Sequence, residues 1–263
     1  MTGKSVPVVV LAGGIAKPEV QAAGWPALRA LAPVAGRPMI AWVLDAFRGA
    51  NGVREIAVVG PDELAPVIGD AALIPVGEGM WDNVAAGLRR FPDERVLLSS
   101  ADVPLLTSIA VDDVIGRGLE IDADFVYPII RKELNEAQCP GLSRTYGSLV
   151  EGTFTGGNLI LVHSTRLLAS DEIIRKALAA RKKPLELARL INLRLVIKVM
   201  LKRARISELE SQVTRVLGAT ARALETPYAE IGADLDSPEE TRIIEALMAK
   251  RLHREDLREQ HPG

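Results

Sequence analysis

Asp102 is the first residue in this sequence whose type and position could support chemistry. It lies in SSADVP (residues 99–104), where an apolar segment runs into a polar tip. Mg²⁺ prefers oxygen ligands and is typically held by one or two carboxylates together with substrate phosphates and water. A carboxylate at this position can therefore hold the metal of a phosphate-transfer site. The alternative is a turn or capping aspartate ahead of Pro104.

A pair of glycines near the amino terminus is the second candidate. Gly13 and Gly14 end the β-branched segment VPVVVLAGG. Because glycine has no Cβ, the backbone amides of such a loop can surround phosphate oxygens. Basic residues that could neutralise the remaining charge follow the loop: Lys17, Arg29 and Arg37. The alternative is a tight turn of an ordinary α/β protein.

A glycine-rich turn in GTFTGGN is a third candidate. Gly156 and Gly157 would allow a ligand to approach the backbone closely. Asn158 offers both a hydrogen-bond donor and an acceptor. A plain hairpin turn explains the segment equally well.

Two aspartates in ADLDSPEE form the fourth candidate. Ser237 as N-cap, Pro238 as first helical residue and Glu240 as capping-box partner are typical of a helix start. Capping therefore explains SPEE. It does not require both preceding aspartates, Asp234 and Asp236.

The spacing of apolar residues predicts the elements that position these candidates. VPVVVLAGG, REIAVVGP, AALIPVGEG and ERVLLSSADVP are typical of strands that end in turns, whereas residues 38–48 and 81–91 have helical spacing. Alternating strands and helices predict an α/β fold with a Rossmann-like, mostly parallel mixed sheet and helices on both faces. Such sheets bind ligands beyond the carboxyl ends of their strands, where the Gly13 loop and Asp102 would lie.

The second half of the chain is less regular. DADFVYPII and GTFTGGNLILV predict strands, and Pro128 and Pro140 bracket a predicted loop. Residues 165–224 are helical in character, and YAEIGADLDSPEET adds a short strand and a helix start. We therefore predict one domain over residues 1–263, in which residues 165–230 form a C-terminal helical insertion or subdomain.

Composition argues against several classes of function. The formal net charge of −2 argues against nucleic acid as a partner, and 4% aromatic residues leave few side chains for base stacking. A small polar substrate fits better. One cysteine excludes an internal disulfide, and three histidines without metal-ligand spacing predict no zinc site. This composition agrees with a reducing compartment, and we expect the protein in the cytoplasm.

The apolar stretch 190–201 has three interpretations. A bilayer span takes about twenty residues, so this stretch is too short to cross a membrane. Basic residues recur in and beside it at roughly helical intervals: Arg189, Arg194, Lys198 and Lys202. Residues 189–202 could therefore lie on an anionic membrane surface. The alternatives are burial in the core and a homodimer contact.

The order of these segments resembles that of a known superfamily. LAGG (residues 11–14), a variable loop and then ALRALAPVAGRPMIAWVLDAF are similar to nucleotidyltransferases, which include molybdenum-cofactor guanylyl- and cytidylyltransferases and sugar-1-phosphate nucleotidyltransferases. The resemblance covers most of residues 7–164 and the segment 231–247. It implies a glycosyltransferase-A-like fold. It also implies transfer of a nucleoside monophosphate from a nucleoside triphosphate (NTP) to a small phosphorylated acceptor, with release of pyrophosphate.

The resemblance also implies roles for individual residues. Arg29 stands where the family has a lysine, and SSAD and DLDSPE resemble the segments that hold Mg²⁺. Asp102 and Asp236 are therefore the implied metal ligands, and Arg29 and Asp102 are the implied catalytic residues. The implied nucleotide-binding residues are Leu11, Ala12, Gly13, Gly14, Lys17, Arg29, Asn83 and Ala101. The implied acceptor-binding residues are Gly156, Gly157 and Asn158.

The loop after LAGG departs from the family pattern. Family members usually carry an arginine followed by glycine there, whereas IAKPEVQAAGWPAL is apolar and offers only Lys17. The departure keeps open a non-catalytic nucleotide-binding protein of the same fold. A further alternative is a nucleotide-sugar-dependent glycosyltransferase in which Asp234-Leu235-Asp236 holds the metal.

Overall fold

The computed structural model describes residues 5–180 and 192–260. The strands in these ranges are β1 (Val6–Leu11), β2 (Pro33–Val34), β3 (Arg37–Pro38), β4 (Val53–Val59), β5 (Ala72–Ile74), β6 (Arg95–Ser100), β7 (Phe125–Arg131), β8 (Gly147–Leu149), β9 (Gly152–Gly156), β10 (Leu159–His163) and β11 (Ala221–Glu225). The helices are α1 (Pro18–Ala22), α2 (Met39–Arg48), α3 (Ala65–Ile68), α4 (Met80–Arg89), α5 (Ser108–Glu120), α6 (Lys132–Gln138), α7 (Ser164–Leu168), α8 (Asp171–Ala180), α9 (Leu193–Met200), α10 (Ile206–Leu217) and α11 (Pro238–Gln260).

One mixed sheet organises the chain. Its strand order is β5-β4-β1-β6-β10-β7-β9-β8, with β11 paired to β7. The strands β5, β4, β1 and β6 are mutually parallel, whereas β10 runs antiparallel between β6 and β7. The short strands β2 and β3 form a separate antiparallel ribbon. These pairings confirm the predicted α/β fold with a mixed sheet.

Both faces of the sheet are covered by hydrophobic packing. Val8 and Val10 of β1 belong to one core, whereas Val9 belongs to the other, and all three are fully buried. A strand buried on both faces requires such a continuous β-branched segment. The predicted apolar face of α2 is also confirmed, since its side chains are fully buried: Met39, Ile40, Val43, Leu44 and Phe47.

Two predictions for the second half of the chain are wrong. The segment between Pro128 and Pro140 is not a loop, because β7 continues to Arg131 and α6 follows it. Helix α6 has the polar sequence KELNEAQ, so no apolar periodicity reveals it. YAEIGADLDSPEET contains a 3-10 turn at Ala229–Gly232 instead of a strand. Its apolar residues are buried there without strand pairing.

The predicted helical insertion contains one strand that the sequence did not reveal. Helices α8, α9 and α10 lie within residues 165–230, but β11 then returns to the sheet and pairs in parallel with β7. The boundaries of the insertion stay a prediction, and residues 181–191 lie outside the described residues. Among the described helices, none is both long and apolar enough to cross a bilayer.

Helix α4 packs so closely on β1 that Gly87 has no room for a side chain. A Cβ at Gly87 would overlap Cγ1 of Val9, a β-branched residue with no exposed surface. We predict that Gly87→Ala lowers the free energy of unfolding by about 1–3 kcal/mol, because α4 must move away from the sheet. Denaturant unfolding measures this change.

The matched control is Gly116→Ala in helix α5. A Cβ added at Gly116 meets nothing within 4 Å. Since alanine favours a helix over glycine by about 1 kcal/mol, we expect this variant to be slightly more stable than the parent protein. Similar stability of the two variants would contradict the close packing at Gly87.

Candidate active site

The glycine loop and Asp102 lie at the same edge of the sheet. Strands β1 and β6 are parallel neighbours, and Leu11 pairs with Ser100 in the register. Beyond this pair, the N–H of Ala101 donates to the carbonyl of Leu11 over 3.2 Å. The carboxyl ends of the two strands therefore deliver LAGG and SSAD to neighbouring positions.

Backbone hydrogen bonds fix the glycine loop. Ala12 N–H donates to the carbonyl of Val59 over 2.8 Å, and Arg29 N–H donates to the carbonyl of Gly14 over 3.0 Å. The second bond joins the end of the segment IAKPEVQAAGWPAL to the glycine loop at which the segment begins. It therefore places the Arg29 side chain at the same edge as Asp102.

Arg29 joins the two predicted metal ligands. Its Nη2 donates to Asp102 Oδ2 over 2.8 Å and to Asp236 Oδ1 over 2.7 Å. The same nitrogen lies 3.2 Å from the carbonyl oxygen of Leu235. The backbone adds another link, because Leu235 N–H donates to the carbonyl of Asp102 over 2.8 Å. One guanidinium thus connects three segments that are distant in sequence.

The charges around Arg29 favour binding of an additional cation. Two carboxylates surround one guanidinium, so the group carries a net negative charge at neutral pH. Asp102 Oδ1 is buried and has no hydrogen-bond partner in the described part of the chain. A buried carboxylate oxygen without a partner is costly in a protein interior. The residues present therefore fit a hard cation with oxygen ligands, although no cluster of three His, Cys, Asp or Glu side chains occurs among the described residues.

Asp234 has a different position from Asp236. It forms an ion pair with Arg144, whose Nη2 also donates to the carbonyl of Gly156 over 3.2 Å. Both side chains of the pair are mostly buried. Asp234 therefore links the ADLD segment to the glycine turn, whereas Asp236 faces Arg29. The helix begins at Pro238 as predicted, but Glu240 accepts a hydrogen bond from the N–H of Asp236 and not from the predicted N-cap Ser237.

The glycine turn is held by backbone contacts. Gly157 N–H donates to the carbonyl of Pro128, and Asn158 donates to the carbonyl of Ile231 through both its backbone N–H and its Nδ2. A Cβ on Gly156 would overlap the hydroxyl oxygen of Tyr127. Glycine is therefore required at position 156 for close packing against that hydroxyl.

Asn83 lies beside the glycine loop, and Lys17 is the N-cap residue of the helix that follows the loop. Asn83 Oδ1 accepts a hydrogen bond of 2.7 Å from Gly77 N–H, and its Nδ2 is 3.4 Å from the place where a Cβ of Gly13 would be. Its amide N–H₂ therefore faces the loop. Lys17 is exposed at the start of α1, and its side chain forms no ion pair with a described residue.

Sequence reasoning missed Arg144 and Tyr127. Arg144 lies in GLSRTYGS, which has no recognisable motif, and its partner Asp234 is ninety residues away. The one available signal was the second aspartate of ADLD, which helix capping did not explain. Tyr127 packs its hydroxyl against Gly156, and burial raises the pKa of that hydroxyl, so it stays protonated.

The one cysteine does not contribute a nucleophile. Cys139 is buried at the end of α6. Burial raises the pKa of its thiol to about 11, so the thiol stays protonated at neutral pH. The chemistry at the sheet edge therefore rests on carboxylates, guanidinium groups and backbone amides.

The same fold occurs in known transferases. A hypothetical transferase from Thermus thermophilus is 39% identical to this chain with a TM-score of 0.81, and the match covers 90% of this chain and 99% of that one. CMP:2-keto-3-deoxy-manno-octonic acid synthetase, solved with CTP, is 15% identical with a TM-score of 0.62 over 95% of this chain and 100% of that chain. At 15% identity the second likeness shows the fold alone.

A curated relative matches a shorter part of the sequence. The bifunctional protein GlmU from Oenococcus oeni (strain ATCC BAA-331 / PSU-1) is 29% identical over 100 residues, which are 38% of this chain. The match covers 24% of GlmU, so this chain spans about a quarter of that relative.

The family follows from a match over most of the chain. The sequence profile of the MobA-like NTP transferase domain matches residues 8–197, from the first strand to helix α9. This range includes the glycine loop, Arg29, Asp102 and the turn at Gly156. The match confirms the resemblance that the segment order indicated. The chain belongs to the MobA-like NTP transferase domain family.

Proposed function

We propose that this protein transfers a nucleoside monophosphate from an NTP to a small phosphorylated acceptor. The observation that carries the proposal is the convergence of Asp102, Asp236 and Arg29 beside the glycine loop. An oxygen of the acceptor phosphate attacks the α-phosphorus and forms a new P–O bond. The bond from the α-phosphorus to the bridging oxygen breaks, and pyrophosphate leaves with its electron pair. The reaction needs no protein nucleophile.

Asp102 and Asp236 are the residues that would hold Mg²⁺. The unpartnered Oδ1 of Asp102 and the net negative charge around Arg29 support this assignment. Asp236 is 64% exposed, so its carboxylate can reorient toward a ligand at the surface. When bound, Mg²⁺ offsets the negative charge of the triphosphate and of the leaving pyrophosphate.

Arg29 positions the phosphates in this proposal. Its three hydrogen bonds to the carboxylates and Leu235 all use Nη2. Since Nη1 has no hydrogen bond to a described residue, we assign its N–H donors to phosphate oxygens. Arginine presents its donors in a planar fork that suits phosphate, whereas lysine would act as a point charge. Positioning and charge stabilisation account for most catalysis of phosphoryl-type transfers.

The two substrates are assigned to neighbouring parts of the sheet edge. We assign the NTP to the glycine loop and its neighbours, namely Leu11, Ala12, Gly13, Gly14, Lys17, Arg29, Asn83 and Ala101. We assign the acceptor to Gly156, Gly157 and Asn158. The Arg144–Asp234 ion pair ties this turn to the segment that carries Asp236. That link supports an acceptor phosphate close to the carboxylates.

The alternative of a glycosyltransferase has weaker support. It requires both aspartates of Asp234-Leu235-Asp236 at a metal, but Asp234 is paired with Arg144. Separating them would leave a mostly buried arginine without its partner, which is costly. The geometry therefore favours Asp102 with Asp236 over Asp234 with Asp236.

Asp102 is tested by its amide isostere. We predict that Asp102→Asn lowers the rate of pyrophosphate release by about 100-fold or more, because it removes a carboxylate charge that balances the site. The measurement is pyrophosphate release with Mg²⁺, each of the four NTPs and a panel of phosphomonoesters that includes sugar 1-phosphates. The melting temperature of the variant shows whether the fold is retained.

The matched control is Asp70→Asn. Asp70 also accepts hydrogen bonds from an arginine, Arg48, but it is 86% exposed and lies away from the sheet edge. We expect its rate to equal that of the parent protein. Full turnover by Asp102→Asn would remove Asp102 from the site. If the parent protein releases no pyrophosphate with any NTP and only a nucleotide-sugar raises its melting temperature, the proposed transfer is wrong.

Arg29 is tested by thermal unfolding in the presence and absence of Mg²⁺. We predict that Arg29→Met lowers the free energy of unfolding by about 1–3 kcal/mol in the absence of metal, because two carboxylates lose their shared counter-charge. Mg²⁺ should then raise the melting temperature of the variant by several degrees more than that of the parent protein. The physical reason is that the cation replaces the missing guanidinium.

Arg37→Met provides the comparison for this test. Arg37 pairs with Asp45, both side chains are about half exposed, and the guanidinium also lies over the Trp42 ring. Loss of the ion pair and of the ring contact costs about 0.5–2 kcal/mol, and we expect no added effect of Mg²⁺. An equal response of both variants to Mg²⁺ would show that Asp102 and Asp236 are not the metal ligands.

A further inference from the structure

Helix α9 has an inner apolar side and an outer one. Leu195 is buried, and with Val196, Val199 and Met200 it lines an apolar cavity between the helix and the sheet that also involves Trp81 and Phe125. Met200 lies at the edge of this cavity, because it is 77% exposed. Among the described residues, the inner side provides the contacts of the helix with the core.

The outer side is exposed. Ile197, Met200 and Leu201 are 48%, 77% and 60% exposed. Their spacing of three and four residues places them on one side of the helix. Val150 is also exposed, and its N–H donates to the carbonyl of Ala204 just after the helix. We call the side chains of Ile197, Met200 and Leu201 the outer apolar patch.

Basic residues alternate in sequence with those of the outer apolar patch, and we call them the basic stripe. Residues 192–205 contain five basic residues and no acidic one. Lys198 and Arg205 pair with Glu208 and Glu151. The other three make no ion pair with the described part of the chain: Arg194, Lys202 and Arg203. An amphipathic helix with exposed apolar residues beside unpaired cations is typical of attachment to an anionic membrane surface.

We propose that the outer apolar patch and its basic stripe dock on an anionic lipid bilayer, with α9 lying in the plane of the interface. Ile197, Met200 and Leu201 would enter the boundary between headgroups and acyl chains. Arg194, Lys202 and Arg203 would face the negative headgroups. This surface is additional to the proposed transfer reaction and does not depend on it.

Charge favours a bilayer over a second copy of the chain. A twofold contact through α9 would bring the same basic stripe of both copies together, because a symmetric interface pairs identical surfaces. The repulsion between the cations of the two stripes would oppose that contact. An anionic bilayer removes the repulsion and also takes up the apolar side chains.

Vesicle co-sedimentation tests the proposal with the full chain. We expect the protein to sediment with vesicles of phosphatidylcholine and phosphatidylserine at low salt, and to sediment much less with pure phosphatidylcholine or at high salt. Arg194→Glu/Lys202→Glu should weaken binding by about 25-fold or more, at about fivefold for each cation near the surface. Lys250→Glu, an exposed lysine on α11, should leave binding unchanged.

A second pair of variants tests the apolar contribution. Met200→Asp/Leu201→Asp should abolish sedimentation with anionic vesicles while the melting temperature stays within a few degrees of the parent value. Ile109→Asp is the matched control, because Ile109 is 65% exposed on a different helix, α5, and should bind like the parent protein.

Three outcomes would overturn the docking proposal. The first is no sedimentation of the parent protein with anionic vesicles at low salt. The second is equal binding by Met200→Asp/Leu201→Asp and the parent protein. The third is a dimer in analytical ultracentrifugation that Met200→Asp/Leu201→Asp dissociates, which would assign the patch to a contact between copies. Pyrophosphate release measured without vesicles is independent of all three outcomes.

Discussion

The ion pairs of Arg29 are the constraint on which the candidate site depends. A single nitrogen of this side chain holds Asp102, 73 residues away, and Asp236, 207 residues away. Without the guanidinium between them, the two negatively charged carboxylates would repel each other. The arginine therefore keeps the acidic pair together while one oxygen of Asp102 stays unpartnered. This arrangement supports the proposal that the site takes a cation and phosphate oxygens.

The parallel arrangement of β1 and β6 brings the glycine loop and Asp102 together. Strands β1 and β6 end at the same edge, so LAGG and SSAD need no long connection to meet. The turn at Arg29 is tied back to Gly14, and the ADLD segment is tied to Asp102 through Leu235. Each tether is a backbone hydrogen bond, which does not depend on side-chain identity. The acidic edge therefore does not depend on the side chains of the loop between Gly14 and Arg29.

A second ion pair divides the two aspartates of ADLD between different tasks. Asp234 is held by Arg144 against the glycine turn, whereas Asp236 faces Arg29. Residues two apart in a regular strand would point to the same side. The ADLD segment follows the 3-10 turn Ala229–Gly232 and is not a strand, so its two aspartates can reach different arginines. The arrangement connects the proposed acceptor turn mechanically to the proposed metal ligands. It also explains why both aspartates are present where capping needs neither.

The sequence by itself determined the fold class, helices α2 and α4, and the placement of LAGG and SSAD at one sheet edge. These features follow from the spacing of apolar residues and from the alternation of strands and helices along the chain, which are both visible in local sequence. It missed α6, whose polar surface carries no periodic signal, and β11, which pairs with a strand almost a hundred residues earlier. Only the tertiary structure decided that Arg29 bridges both carboxylates and that Arg144 takes Asp234. Those contacts join segments far apart in the chain, and local spacing contains no information about which distant charges meet.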